Sequence, residues 1–188
     1  MSMDYRSITM ILISSTWLLS EILINLLTRS KKSESSSHDR HSMGKIWVVI
    51  ALSVTAGVYI ASSYPGSGPV QYFSGITLMV AGIAFRIFTI FSLKSFFTAD
   101  VAIHHDHKLK TDGVFTYVRH PSYSGSLLTF LGFGLTLGNW FSLLIIFLPV
   151  LAVFLYRIGI EEKALIGNFK DEYTVYQKKT KKLVPFIY

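Results

Sequence analysis

The chain has no cysteine. Disulfides, thiolate nucleophiles and cysteine-held zinc or iron–sulfur centres are thereby excluded together. It is also short of charge. Only 15% of its 188 residues are charged, where a soluble domain carries roughly 25%. It contains no HExxH pair and no catalytic dyad in the pattern of a hydrolase. No basic helix or basic–aromatic stripe accompanies the formal net charge of +7, so nucleic acid is not an expected partner.

What fills the chain instead is apolar: 51% of residues are hydrophobic and the mean hydropathy is +0.45. A transmembrane helix needs about 20 mostly apolar residues. Five segments meet or approach that: Ile8–Leu27, Ile46–Ser62, Val70–Leu93, Tyr123–Leu137 and Trp140–Ile158. The first lacks the small-residue cleavage pattern of a signal peptide and carries Glu21 and Asn25. Tyr64 to Pro69 is a Gly- and Pro-rich stop, and Gly138-Asn139 is a two-residue turn that makes the last two spans a hairpin. The expected fold is an all-α integral membrane protein with about five spans. It forms a single domain over 1–188, with three N-terminal spans in 1–93 and a catalytic region in 94–188.

Loop charges orient the spans. The loops 28–45 and 94–119 hold Arg29, Lys31, Lys32, Arg40, Lys45, Lys94, Lys108, Lys110 and Arg119, whereas 64–69 and 138–139 hold none. The positive-inside bias puts the N-terminus outside and the C-terminus in the cytoplasm. Beyond Arg157 the tail is rich in lysine. Leu165, Phe169, Tyr173, Tyr176 and Thr180 share one helical face there, which predicts an amphipathic helix lying along the membrane.

Four clusters could carry chemistry. The segment His107–Tyr123, HKLKTDGVFTYVRHPSY, packs His, Arg, Tyr and Ser beside a span. Ionisable groups at membrane depth are costly and point to function. Pro121 suits the first turn of a helix, whose exposed N–H groups favour a polar or anionic ligand. Arg119 and Tyr123 also fit as interface anchors. Arg157 and Glu161 share a helix face at i,i+4; they suit a plain ion pair, or an arginine for a carboxylate beside a glutamate for a cationic or amino group. Glu162 points about 100° away and is expected in solvent. His104-His105-Asp106-His107 has no regular metal-ligand spacing, so no metal site is assigned. Gly132, Gly134 and Gly138 lie within or at the end of a span, where small residues serve close helix packing. Arg86, Glu21 and Asn25 are expected as helix–helix partners or cavity lining.

These residues resemble a known family. His107, Leu109, Thr111, Gly113-Val114-Phe115, Arg119-His120-Pro121-Ser122-Tyr123 and Gly125 look like the signature of the isoprenylcysteine carboxyl methyltransferases. The later run of Arg157, Glu161-Glu162, Leu165, Phe169, Glu172-Tyr173, Tyr176 and Pro185-Phe186 resembles it too. The likeness covers the last ninety or so residues, as in a short, core-only member. It implies a multi-pass enzyme with its site facing the cytoplasm, in the endoplasmic reticulum or the cell membrane. That enzyme would use S-adenosyl-L-methionine to methylate the carboxylate of a prenylated cysteine. By the resemblance, His107, Leu109, Lys110, Phe115, His120, Pro121, Ser122, Tyr123 and Glu161 would contact the cofactor. Arg157 would hold the acceptor carboxylate, with Tyr123 beside it. Phe115 stands where a tyrosine is common, and Lys110 where an apolar residue is common. The Arg-His-Pro-Ser-Tyr element alone is shared with phospholipid N-methyltransferases and NADPH-dependent membrane reductases, which stand as the alternative functions.

Overall fold

The computed structural model describes residues 5–28, 37–64, 68–93 and 109–188. Among them are five α-helices and no named strand: α1 (Tyr5–Thr28), α2 (Ser37–Ser63), α3 (Pro69–Leu93), α4 (Pro121–Thr136) and α5 (Trp140–Lys179). Three segments are long and apolar enough to cross a membrane: Gly44–Ser63, Pro69–Leu93 and the helix Trp140–Lys179. Ile8–Ile24 in α1 is a shorter apolar stretch. Leu12, Leu19, Leu52, Phe73, Phe91 and Phe141 are exposed on the outer faces. In water that distribution would be costly, whereas acyl chains solvate it. The protein is an integral membrane protein.

Glycine decides how the helices sit. Gly75 and Gly82 on α3 face Gly132 and Gly125 on α4, seven residues apart on each helix. The two helices run antiparallel with backbones in contact. A Cβ added at Gly132 would stand 2.5 Å from the Gly75 carbonyl oxygen, and one at Gly125 would stand 2.8 Å from the Arg86 amide nitrogen. Without a hydrophobic effect between helices in lipid, such close backbone approach is the main source of attraction. Gly57 plays the same part for α2, because a Cβ there would meet Ile146 of α5 at 2.5 Å.

The α4–α5 hairpin forms where the sequence places it. Gly138 takes φ 69°, a left-handed conformation that ends α4 cheaply. Asn139 then caps α5, its side-chain oxygen accepting from the Phe141 and Ser142 amides at 2.9 and 3.3 Å. Phe130, Ile146, Val150, Phe154 and Ile158 form the core. Edge-to-face rings run through it, from Trp17 to Phe130 at 5.0 Å, to Phe154 at 6.2 Å, and to Tyr123 at 5.2 Å.

The tail departs from expectation. Hydrogen bonding carries α5 from Trp140 to Lys179, but Lys170 breaks its geometry at φ 46°, ψ −119°. The chain turns there and folds back. Tyr173, Tyr176 and Thr180 are buried, with the Tyr176 hydroxyl donating to the Phe115 carbonyl at 2.6 Å. Of the apolar face predicted to lie on lipid, Tyr173, Tyr176 and Thr180 are thus buried in the protein, with Tyr176 against the chain's own loop, while Leu165 and Phe169 stay partly exposed. That outcome is physically favourable, because the loop's main-chain carbonyls need donors that lipid does not supply.

We expect Gly132→Ala to lower the melting temperature in detergent by about 5–10 °C through overpacking of the α3–α4 contact. Gly159, which has open space around it, serves as control. Gly159→Ala should leave stability unchanged or raised, and equal losses in both variants would contradict the contact.

Candidate functional site

The site lies at the end of the bundle where α4 begins. Asp112 precedes a 3-10 turn, Gly113–Thr116, entered through Gly113 at φ 60°. The chain then runs through Tyr117, Val118 and Arg119 to His120, which occupies the N-cap of α4, with Pro121 in the first turn. Its own tail holds this stretch in place. Val118 and Lys181 form a parallel bridge. Arg119 and His120 donate their amides to Lys181 and Lys182 at 2.8 and 3.1 Å, and Lys181 donates back to Tyr117 at 3.1 Å. The Ser124 hydroxyl donates to the Leu183 carbonyl at 2.5 Å.

Four sequence-predicted residues meet here. The Tyr123 hydroxyl donates to Glu161 Oε1. Arg157 Nε is 3.4 Å from the same oxygen. His120 Nδ1 is 3.5 Å from Glu161 Oε2. Arg157 is 1% exposed, His120 6% and the Glu161 side chain 23%, so Glu161 is the least buried of the three. The i,i+4 spacing of Arg157 and Glu161 predicted their pairing, and it is present.

Glu162 corrects the sequence reading. It is buried rather than solvated. Its Oε1 accepts from Arg119 Nε at 2.9 Å and lies 3.4 Å from His120 Nε2, while Lys182 approaches Oε2 at 3.6 Å. Arg119 is likewise no open interface anchor: it turns inward and donates to the Gln177 and Thr180 carbonyls at 3.1 and 2.5 Å. Those are orphan carbonyls at the end of α5, where a cation is favoured. The signal for this missed pair was the match of two adjacent cations, Arg119-His120, with two adjacent acids, Glu161-Glu162.

The imidazole of His120 therefore has a carboxylate at each nitrogen. Burial disfavours its charged form, but the bonds and charges of Glu161 and Glu162 outweigh burial and raise its pKa above the ordinary histidine value.

The other predicted residues that the structure describes lie in the stretch leading into α4 and in its first turn. Pro121 is fully buried, and the Ser122 carbonyl accepts from Arg86 Nη1 at 3.2 Å. Arg86 also holds Glu21 of α1 bidentately, at 2.5 and 2.8 Å, as a helix–helix partner. Phe115 is buried beneath Tyr176. Leu109 is half-buried. Lys110 pairs with Asp112 at 2.8 Å and is partly exposed. His107 and the whole His104–His107 cluster lie outside the described residues, as does the side chain of Asn25. Among the described residues no group of three or more His, Asp or Glu could hold a metal.

The phospholipid methyltransferase family profile matches residues 70–172. A protein-S-isoprenylcysteine O-methyltransferase B of Arabidopsis thaliana is 32% identical over 144 residues, covering 73% of each chain. The Schizosaccharomyces pombe protein-S-isoprenylcysteine O-methyltransferase is 44% identical over 82 residues, 44% of this chain and 35% of that one. A eukaryotic intramembrane Ras methyltransferase, isoprenylcysteine carboxyl methyltransferase, superposes with a TM-score of 0.59 at 28% identity, over 75% of this chain and 52% of that one. The match thus takes in about a third of the fission yeast relative and about half of the solved structure. The chain belongs to the phospholipid methyltransferase family and is similar to relatives named isoprenylcysteine O-methyltransferase.

A group whose folded-state pKa is raised stabilises the fold below its unfolded value, about 6.5 for histidine. That stabilisation is lost as pH rises through the folded value. The melting temperature should accordingly fall as pH is raised through the His120 transition. His120→Gln should flatten this part of the profile; an unchanged profile in that variant would remove His120 as its source.

Proposed function

We propose that the protein methylates the C-terminal carboxylate of a prenylated cysteine, with S-adenosyl-L-methionine as donor. The observation that carries this is Arg157, buried at 1% exposure against a partly exposed Glu161 in a chain whose relatives bear the isoprenylcysteine O-methyltransferase name. A buried guanidinium at the end of a bundle is suited to a carboxylate, which it can bind in a two-pronged fork.

The donor set fits the cofactor in chemical kind. Glu161 offers oxygen acceptors to an amino or hydroxyl group. The ring of Tyr123, partly buried beside Glu161, is of the kind that favours a cationic sulfur. When bound, S-adenosyl-L-methionine supplies an electrophilic methyl group. What remains for the chain is to hold and align. Arg157 orients the acceptor carboxylate, which is already ionised at pH 7 and needs no general base. Tyr123 and His120 fix the Glu161 carboxylate between them. Alignment of this kind contributes several kcal/mol to a displacement. The apolar helices around the site exclude water, which strengthens each of these contacts. Leu109, Lys110, Phe115, Pro121 and Ser122 complete the cofactor side in this reading, and His107 joins them from the preceding segment.

The same reading places five spans in the bilayer, the N-terminus outside, and the site with the C-terminus in the cytoplasm. The prenyl chain would approach from the lipid, between helices. Methylation of a phospholipid amine is less well served, because Arg157 would repel a protonated amine. A nicotinamide reductase would need cations for a 2′-phosphate beyond those already committed to Glu161 and Glu162.

In nanodiscs, Arg157→Lys and Arg157→Ala are expected to reduce methyl transfer to a farnesylated cysteine analogue by about 100-fold. S-adenosylhomocysteine binding by calorimetry should be largely retained. Glu161→Gln is expected to weaken that binding instead. Full turnover in the Arg157 variants would sink the acceptor assignment, and unaltered affinity in Glu161→Gln would sink the cofactor assignment.

A further inference from the structure

The segment after α5 carries an apolar cluster that no contact among the described residues covers. Phe186 is 82% exposed, Ile187 76%, Tyr117 56%, Tyr188 51% and Val184 45%. Tyr117 and Phe186 meet edge to face at 6.2 Å. The cluster is held in shape. Leu183 and Val184 donate their amides to the Tyr188 main-chain oxygen at 2.7 and 2.6 Å, and Leu183 is buried as its root. Phe186 takes φ 65° to close the turn, an uncommon conformation for an aromatic residue.

Its position says what covers it. Tyr117 precedes Val118, which bridges Lys181, and stands three residues before His120 at the N-cap of α4. The cluster therefore sits beside the start of α4; on the proposed reading that α4 lies in the bilayer, that is the level where the bundle leaves the acyl region. Its charges agree. Lys178, Lys179 and Lys181 are exposed in the stretch that leads into it. The Lys182 ammonium lies 5.4 Å from the centre of the Tyr188 ring. The acids of this stretch, Asp171 and Glu172, stand at its far end, just past the break at Lys170. Aromatic rings preceded by lysines match an interface of acyl chains and anionic headgroups.

We propose that Tyr117, Val184, Phe186, Ile187 and Tyr188 form a wedge that inserts into an anionic lipid leaflet, with Lys178, Lys179 and Lys181 binding its headgroups. This differs from a tail helix lying flat on the membrane, since Tyr173, Tyr176 and Thr180 of its apolar face are buried in the protein. It also gives the site a tie to the bilayer. The wedge is continuous with residues 181–183, whose backbone holds Arg119 and His120 in place, and Lys182 touches both Tyr188 and Glu162.

The absence of cysteine makes the test direct. Phe186→Cys and, as a reference, Asp171→Cys are labelled with an environment-sensitive fluorophore in nanodiscs of neutral or of 30% anionic phospholipid. The label at 186 is expected to be quenched by spin-labelled acyl chains and protected from iodide, more so in anionic discs. Lys178→Gln with Lys179→Gln, or 0.5 M salt, should weaken insertion by about fivefold per lysine removed. Iodide quenching at 186 equal to that at 171 in both discs would overturn the proposal, and so would insertion indifferent to lipid charge. Neither readout depends on methyl transfer.

Discussion

The structure turns on the cost of burying charge and on the alternation that offsets it. Arg157, Glu161, His120, Glu162 and Arg119 follow one another with alternating sign once His120 is protonated. Each ion in the row is flanked by its opposite. Removing one member of a buried pair typically costs about 3–5 kcal/mol, because the other is left uncompensated. The row therefore specifies where the start of α4, the middle of α5 and the returning tail must meet. The α3–α4 glycine contact supplies the other half of that specification. It presses two backbones together so that α4 begins beside Arg86, whose guanidinium fixes the Ser122 carbonyl.

That arrangement divides labour along the row. Glu162 and Arg119 face inward and tie the tail to the helices. Arg157 is buried at the other end of the row, beside the partly exposed Glu161. In the proposed reading a polar ligand at Glu161 would exchange contacts with Tyr123, His120 and Arg157 while the inward pair keeps its geometry. Such support behind reacting groups holds a site to productive geometry. The orienting groups here come from a loop, a helix start and a folded-back tail, so the precision comes from main-chain bonds such as Arg119 to Lys181 as much as from side chains.

Much of this was legible in the sequence where the signal is local. The Gly138-Asn139 turn, the bounds of α3 and α4, the shared face of Arg157 and Glu161, and the packing role of Gly132 all follow from spacing within one or two turns. The burial of Glu162 was not legible. A helix drawn in isolation points it at solvent, and only the return of the tail at Lys170 covers it. Lysine is a poor residue for a positive φ, so nothing at position 170 announced the turn. The face of Tyr173, Tyr176 and Thr180 was visible as apolar, but periodicity cannot distinguish lipid from a neighbouring loop as its cover. The same holds for Arg86 and Glu21: each was conspicuous alone, and only the fold joins them.

That last pair bears on how the molecule is made. Glu21 precedes Arg86 by sixty-five residues, so during synthesis the acid reaches the bilayer well before its partner exists. A lone carboxylate at that depth is costly. The meeting of α1 with α3 thus brings together two ions that the sequence holds sixty-five residues apart, so the place of α1 in the bundle is set only once both helices are present.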